Sequence, residues 1–164
     1  MKMIDVERMN DVAIDETTLR TCEVFAEIAT ACFKQPWEAE NFVGFIQKGC
    51  SHATLDVVLE GSNEEKTVGF AVFYMNKSEI GLVAFAVLPQ FQNQGFGRQM
   101  LRAFIREAES RHLDIYTTAL ETDVVARKLF RSLGFEVVRT ERGNHDGVEK
   151  NCFHLRYSCR YKTN

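Results

Sequence analysis

With 164 residues, 45% of them hydrophobic, 26% charged and only 2 prolines, the chain has the length and composition of one globular domain spanning 1–164. A net charge of −3 gives nucleic acid or an anionic membrane no standing reason to bind. The sequence has no apolar stretch of about 18 residues and no signal-peptide pattern, so the expectation is a cytoplasmic protein. Cys22, Cys32, Cys50, Cys152 and Cys159 are odd in number and none is spaced C-x-x-C. Free thiols are therefore expected, without a disulfide framework or a metal site.

In chain order, "MKMIDVERM" reads as a strand. From Thr18 to Phe33, Leu19, Cys22, Phe25, Ala26, Ala29 and Phe33 recur at helical spacing. "KQPWEAENFVGFIQKG" interrupts that helix and starts another. Pro36 suits its first turn, and Phe42, Phe45 and Ile46 form its apolar stripe. "ATLDVVLE", "TVGFAVFYM" and "IGLVAFAVL" read as three strands separated by the turns "GSNEE" and "NKSE". A helix runs to about His112, followed by the strand "LDIYTTAL". "DVVARKLFRSLGF" is a helix with Asp123 as N-cap and Gly134 as its left-handed stop. "FEVVRTE" and "EKNCFHLRYS" form a last hairpin around "RGNHDG". The order is β-α-α-β-β-β-α-β-α-β-β, a mixed sheet flanked by helices, α/β (α+β) in class.

The stretch "FQNQGFGRQM" (91–100) carries the chemistry. Met100, Leu101, Phe104, Ile105 and Ala108 place the following helix against the sheet, and Arg98, Arg102, Arg106 and Glu109 mark its solvated face. The first turn of a helix leaves up to four backbone N–H groups unpartnered, at the positive end of the helix dipole. Gly95 and Gly97 clear the side chains that would hold a large anion off, and Arg98 adds a full charge. A phosphate-bearing ligand fits such a cradle. Arg98-Gln99 stand where a P-loop needs Lys-Ser/Thr, and Met100 stands where a dinucleotide fingerprint needs its third glycine. A plain glycine turn opening a helix is the competing reading.

Taken together, Gln92-Asn93-Gln94-Gly95-Phe96-Gly97 and the later helix ending Leu133-Gly134-Phe135 resemble the GCN5-related N-acetyltransferase (GNAT) family. The resemblance covers nearly the whole chain. Within the family, "ACFKQPWEAENF" and "GLVAFAVLPQFQNQGFGR" are most similar to ribosomal-protein N-terminal alanine acetyltransferases. It implies the GNAT-type sheet and acetyl-CoA as co-substrate, with no metal. It also implies a V-shaped opening between the strand ending at Val87 and the strand ending near Leu120. The pantetheine arm would pair with the backbone of Phe85, Ala86 and Val87. The pyrophosphate would sit on the N–H groups of Asn93, Gln94, Gly95, Phe96, Gly97 and Arg98, behind Gln92.

Three positions depart from that pattern. The family's general base, a Glu, is matched by Thr118. Its general acid, a Tyr, is matched by Phe130. An Asn that contacts the cofactor arm is matched by Asp123. Glu79, Tyr116 and Thr118 are the candidates for handling protons. Each also has a plain reading, as a turn residue, a core aromatic and a strand threonine respectively. None of His52, His112, His145 and His154 is assigned a catalytic role, and Arg106, Arg111 and Arg127 read as solvated helix faces. Trp37 reads equally as a wall of an acceptor pocket and as a core anchor for the two N-terminal helices.

The implied function is direct transfer of an acetyl group from acetyl-CoA to a primary amine, on a peptide N-terminus or a small molecule. The alternative is an acyl-CoA-binding sensor with little transfer. The chain itself names neither the acceptor nor the oligomeric state, homodimer included.

Overall fold

Asp15 starts the first helix: its Oδ1 accepts the Thr18 N–H at 2.7 Å, satisfying one of the donors that a helix start leaves open. Cys22, Phe25, Ile28 and Ala29 then turn one buried face inward along α1 (Glu16–Cys32). The computed structural model describes residues 2–4, 14–34, 37–145 and 147–160. Elements follow in the predicted order. They are β1 (Lys2–Ile4), α1, α2 (Ala39–Gln47), β2 (Ser51–Val58), β3 (Glu65–Met75), β4 (Glu79–Val87), α3 (Phe96–Arg111), β5 (Asp114–Leu120), α4 (Val124–Ser132), β6 (Glu136–His145) and β7 (Val148–Tyr157). A single 3₁₀ turn, Pro89–Phe91, stands between β4 and α3. Pro36 and the part of the first predicted strand beyond Ile4 lie outside the described residues. The fold class is mixed α/β.

The chain forms two compact units. The first takes residues up to Tyr74 and Ala84–Met100, and the second takes Met75–Val83 and the residues from Leu101 on.

In the first unit the strands run in the order β1-β2-β3-β4. β2 and β3 are antiparallel, with a register shift between Leu55 and Asp56. At that shift the Asp56 carboxylate accepts hydroxyl bonds from Thr67 at 2.6 Å and Thr54 at 3.1 Å. Aromatic rings make the core: Phe25 stacks on Phe70 at 4.6 Å, and Phe42 meets both rings edge-on. α2 begins where the Glu38 N–H donates to Asn41 Oδ1 at 2.8 Å.

His52 sits in this core, 4% exposed, with its ring 5.5 Å from Phe25. Its Nδ1 has no hydrogen-bond partner among the described residues. Burial holds the imidazole below its ordinary value. The unfolded chain therefore binds the proton more readily, so stability falls as pH drops below about 6.5. In His52→Leu that part of the acid sensitivity should be missing from urea melts at pH 5.5 compared with pH 7.5; an unchanged difference between the two pH values would contradict it.

In the second unit the order is β4-β5-β7-β6. Glu79–Gly81 of β4 pair in parallel with Asp114–Tyr116 of β5, and β5 and β7 are antiparallel. Gly134, at φ +95°, ends α4 as predicted, and the Phe135 N–H returns to the Phe130 carbonyl at 3.1 Å. Leu101, Phe104, Ala108, Ile115, Phe130, Phe135 and Leu155 are buried.

Three expectations change here. Glu109 is not a plain solvated residue: it accepts the Tyr157 hydroxyl at 2.5 Å and the Arg160 N–H at 3.3 Å. Burial would raise its carboxyl, but these bonds hold it below the ordinary range. Arg127 also leaves the solvated face. It donates to the Glu121 carbonyl at 2.9 Å and lies 4.5 Å over the Phe153 ring. The last hairpin is longer than predicted. β6 continues through Arg142–Asn144 to His145, which pairs with Val148. Asp146 lies outside the described residues. Cross-strand bonds from Arg142 to Glu149 and Asn151 support the extension. Because β6 is exposed along nearly its whole length, no apolar alternation announces it.

Candidate active site

The loop between β4 and α3 forms a cradle in the first unit. Asn93 (φ +60°) and Gly95 (φ +87°) take left-handed backbone conformations, turning the chain sharply into α3. The first intrahelical bond runs from Gln99 N–H to the Gly95 carbonyl at 2.9 Å. The N–H groups of Phe96, Gly97 and Arg98 precede that bond, at the positive end of a 16-residue helix. Arg98 is half-exposed beside them. Two glutamines brace the loop. Gln92 Nε2 donates to the Val87 carbonyl at 2.8 Å, and Gln94 Nε2 donates to the Gln90 carbonyl at 3.0 Å. Gln92 thus fixes the loop to the end of β4, so its amide is a brace within the cradle. Cys32, a free thiol, donates to the same Val87 carbonyl at 3.2 Å.

The direction of the strand sorts the three residues predicted to pair with a ligand arm. The Leu88 N–H donates to the Val68 carbonyl on β3 at 2.7 Å. The Ala86 carbonyl lies 2.9 Å from where a Cβ on Gly69 of β3 would stand. Backbone polar groups alternate in direction along a strand, so those of Phe85 and Val87 point away from β3. Ala86 faces the sheet, which corrects its expected role. Gly69 allows the close approach of these strands. In Gly69→Ala the added methyl also meets Val87 Cγ2 at 3.3 Å. A loss of about 1–3 kcal/mol of stability is expected in urea unfolding, and a change under 0.5 kcal/mol would contradict this packing.

The proton-handling candidates lie in the second unit. Tyr116 is half-buried and Thr118 is exposed, and as alternate residues of β5 they share a face. Glu79 is not brought to them. It pairs with Asp114, at the opposite end of the ladder from Thr118, which is roughly 13 Å further along at about 3.3 Å per residue. Its N–H is held by the Asn76 side chain at 2.9 Å, as suits a turn. Asp123 takes the N-cap position of α4, but its carboxylate turns back to accept the Leu120 N–H at 3.1 Å instead of capping the helix. Phe130 is 3% exposed and packs against Phe135 at 5.1 Å. It is a core residue of its unit, at the position read as matching the family's general acid.

Trp37 is placed as an anchor between the two N-terminal helices. Its ring lies 5.2–6.0 Å from Phe33, Phe42 and Phe45. It also lines an open groove of about 400 Å³ together with Glu23, Glu27 and Glu38. Of the histidines, His112 closes α3 in a left-handed conformation, with the Leu113 N–H returning to the Ala108 carbonyl at 2.9 Å. His154 carries no motif signal, because its partners, Glu141 and Arg139, come from another strand.

A glycine-opened helix mouth braced to the end of a strand is an arrangement suited to a phosphate-bearing ligand. Comparison with known proteins identifies the ligand's class. The model of the Acetyltransferase (GNAT) family matches residues 22–135, and the chain belongs to that family. The chain is 28% identical over 145 residues to the [Ribosomal protein bS18]-alanine N-acetyltransferase of Escherichia coli K12, covering 86% of this chain and 93% of that one. It is 24% identical over 129 residues to the Haemophilus ducreyi protein of the same name, covering 76% and 85%. The crystal structure of the ribosomal-protein-S18-alanine N-acetyltransferase from Escherichia coli superposes with a TM-score of 0.71 at 22% identity, over 88% of this chain and 90% of that one. The chain is an acyltransferase that moves an acetyl group from acetyl-CoA to an amine.

Proposed function

We propose that the acceptor is a peptide α-amine, acetylated by direct transfer, and that residues 1–164 act as one N-acetyltransferase domain in the cytoplasm. The observation that carries the reading is the braced cradle. Phe96, Gly97 and Arg98 present N–H groups at the mouth of α3, and Gln92 ties the loop to Val87. In this reading the cradle takes the pyrophosphate of acetyl-CoA, and the Val87 N–H, on the side away from β3, donates to the pantetheine arm as it passes Phe85. The relatives named for acetylating an alanine of a ribosomal protein support a peptide acceptor and a cytoplasmic site of action. The family match runs through residues of both compact units, in support of a single domain.

An amine must be neutral to attack a thioester. For an α-amine of pKa about 7.8 this costs only about 1 kcal/mol at pH 7. The test has two arms. CoA at a hundred times its Kd should stabilise the protein by about 2.7 kcal/mol in thermal melts. Free CoA should then appear from acetyl-CoA when short peptides are supplied. No melting shift at millimolar CoA would end the cofactor assignment. A shift without CoA release from any peptide would end the acceptor assignment.

A further inference from the structure

Besides its buried face, α1 carries a second row. Glu23, Glu27 and Thr30 follow one another at i, i+4 and i+7, and all three are exposed. Trp37 and Glu38, just before α2, stand across from them. Together with Ala26 they line an open groove of about 400 Å³. Every one of these residues belongs to the first unit.

The groove has an aromatic wall and a carboxylate rim. Packing on Phe33, Phe42 and Phe45 fixes the Trp37 ring at its edge. Arg20, the cation nearest to Glu23 along α1, is taken up by Glu16 at 2.5 Å. Among the described residues no cation pairs with Glu23, Glu27 or Glu38. Three carboxylates repel an acidic or phosphate-bearing segment. They suit a cation on a long apolar stem, whose methylenes lie along Ala26 and whose charged head sits over the indole. Lysine and arginine combine both parts.

The helix that carries the groove ends at the loop proposed to hold the cofactor. Cys32, the last residue of α1, donates to the Val87 carbonyl that Gln92 also holds. Along the helix axis, at about 1.5 Å per residue, Glu27 and Glu23 stand about 8 and 14 Å before that point. An extended peptide covers those lengths in about two to four residues.

We propose that this groove is a specificity subsite for the acceptor, taking a lysine or arginine side chain about two to four residues after the α-amine. The inference rests on the peptide-acceptor reading and makes the substrate class a basic peptide. No bond is made or broken in the groove. The carboxylates draw a cationic chain in, and Trp37 with Glu23 and Glu27 fixes its register.

The experiment uses two peptides of equal length with the same N-terminal residue, one carrying arginine and the other glutamine at the third to fifth positions. Release of CoA from acetyl-CoA gives kcat and KM for each. In parallel, each peptide is titrated in the presence of free CoA, where no transfer occurs, while the emission of Trp37, the single tryptophan of the chain, is followed. The arginine peptide should show a KM about tenfold lower, with the difference in KM rather than kcat. It should also shift Trp37 emission at concentrations where the glutamine peptide does not. In Glu23→Gln/Glu27→Gln the KM ratio should fall to about twofold; both sites are exposed and glutamine is as good a helix former, so α1 persists. Glu23→Lys/Glu27→Lys should make the arginine peptide the poorer of the two. Equal KM values in the unaltered protein, or a preference that survives in Glu23→Gln/Glu27→Gln, would overturn the subsite and leave the peptide-acceptor reading standing. Turnover of neither peptide, with Trp37 silent to both, would overturn that reading and this inference with it.

Discussion

Gly97→Val is expected to fold and to lose CoA. Gly97 is the second residue of α3, and its N–H precedes the first intrahelical bond. A valine there is a somewhat better helix residue than glycine, so the helix itself gains a few tenths of a kcal/mol. The change acts on the ligand. A branched Cβ stands where the backbone must touch phosphate, and a hydrogen bond to a charged group contributes about 1.5–3 kcal/mol. Displacing the pyrophosphate from one or two N–H groups should therefore weaken CoA by about 3 kcal/mol, more than a hundredfold. Calorimetric titration of a Gly97→Val protein with an unchanged melting temperature is the measurement. Unaltered CoA affinity would show that the loop is only a turn. Gly95→Ala tests a different property. An added methyl meets nothing within 4 Å, but the backbone sits at φ +87°, so this change should distort the loop without crowding the ligand.

The geometry of the loop proposed to hold the cofactor was legible because its information is local. Glycines, a helix mouth and the strand before it occupy one continuous stretch, and backbone geometry follows from those residue types alone. The element order was legible for the same reason: the helical spacing of Cys22, Phe25 and Ala29 and the Gly134 stop are short-range signals. What the sequence hid depends on pairing between distant segments. Ala86 and Val87 look alike in an apolar run, and only the Leu88–Val68 bond and the approach of Gly69 show which carbonyl faces the sheet. His154 looks like an isolated histidine until β7 is set against β5 and β6. Glu109 and Arg127 look like surface charges until Tyr157 and Phe153 arrive from β7. β6 lacked the alternation expected of a strand with one covered face.

A peptide α-amine should be acetylated a few hundredfold faster at pH 7 than a lysine side chain presented in a peptide of the same length. The difference belongs to the amines. Making a lysine neutral at pH 7 costs about 4.6 kcal/mol, against about 1 kcal/mol for an α-amine, a gap of about 3.5 kcal/mol in the barrier. A glutamate base in the transfer site would narrow nothing in that gap, and neither does an imidazole, because the proton must leave the same nitrogen. A site built for lysine closes the gap by placing acidic groups or a dry pocket around the ε-amine to lower its pKa. Thr118, read as matching the family's base, is exposed, and the Glu141 carboxylate across the strands is paired with the Arg139 guanidinium at 2.9 Å. Glu79→Gln should leave kcat/KM within about twofold, since the residue stands at the turn before β4, roughly 13 Å along the sheet from Thr118. Competition between the two peptides for acetyl-CoA, read by mass spectrometry across pH 6.5–9.5, measures the ratio directly. It should shrink about tenfold per pH unit above about pH 8, where the α-amine is already neutral and the lysine is still gaining its neutral form. A lysine peptide that competes evenly at pH 7, or a large loss of rate in Glu79→Gln, would require a dedicated acidic group at the acceptor and would reverse the preference for α-amines.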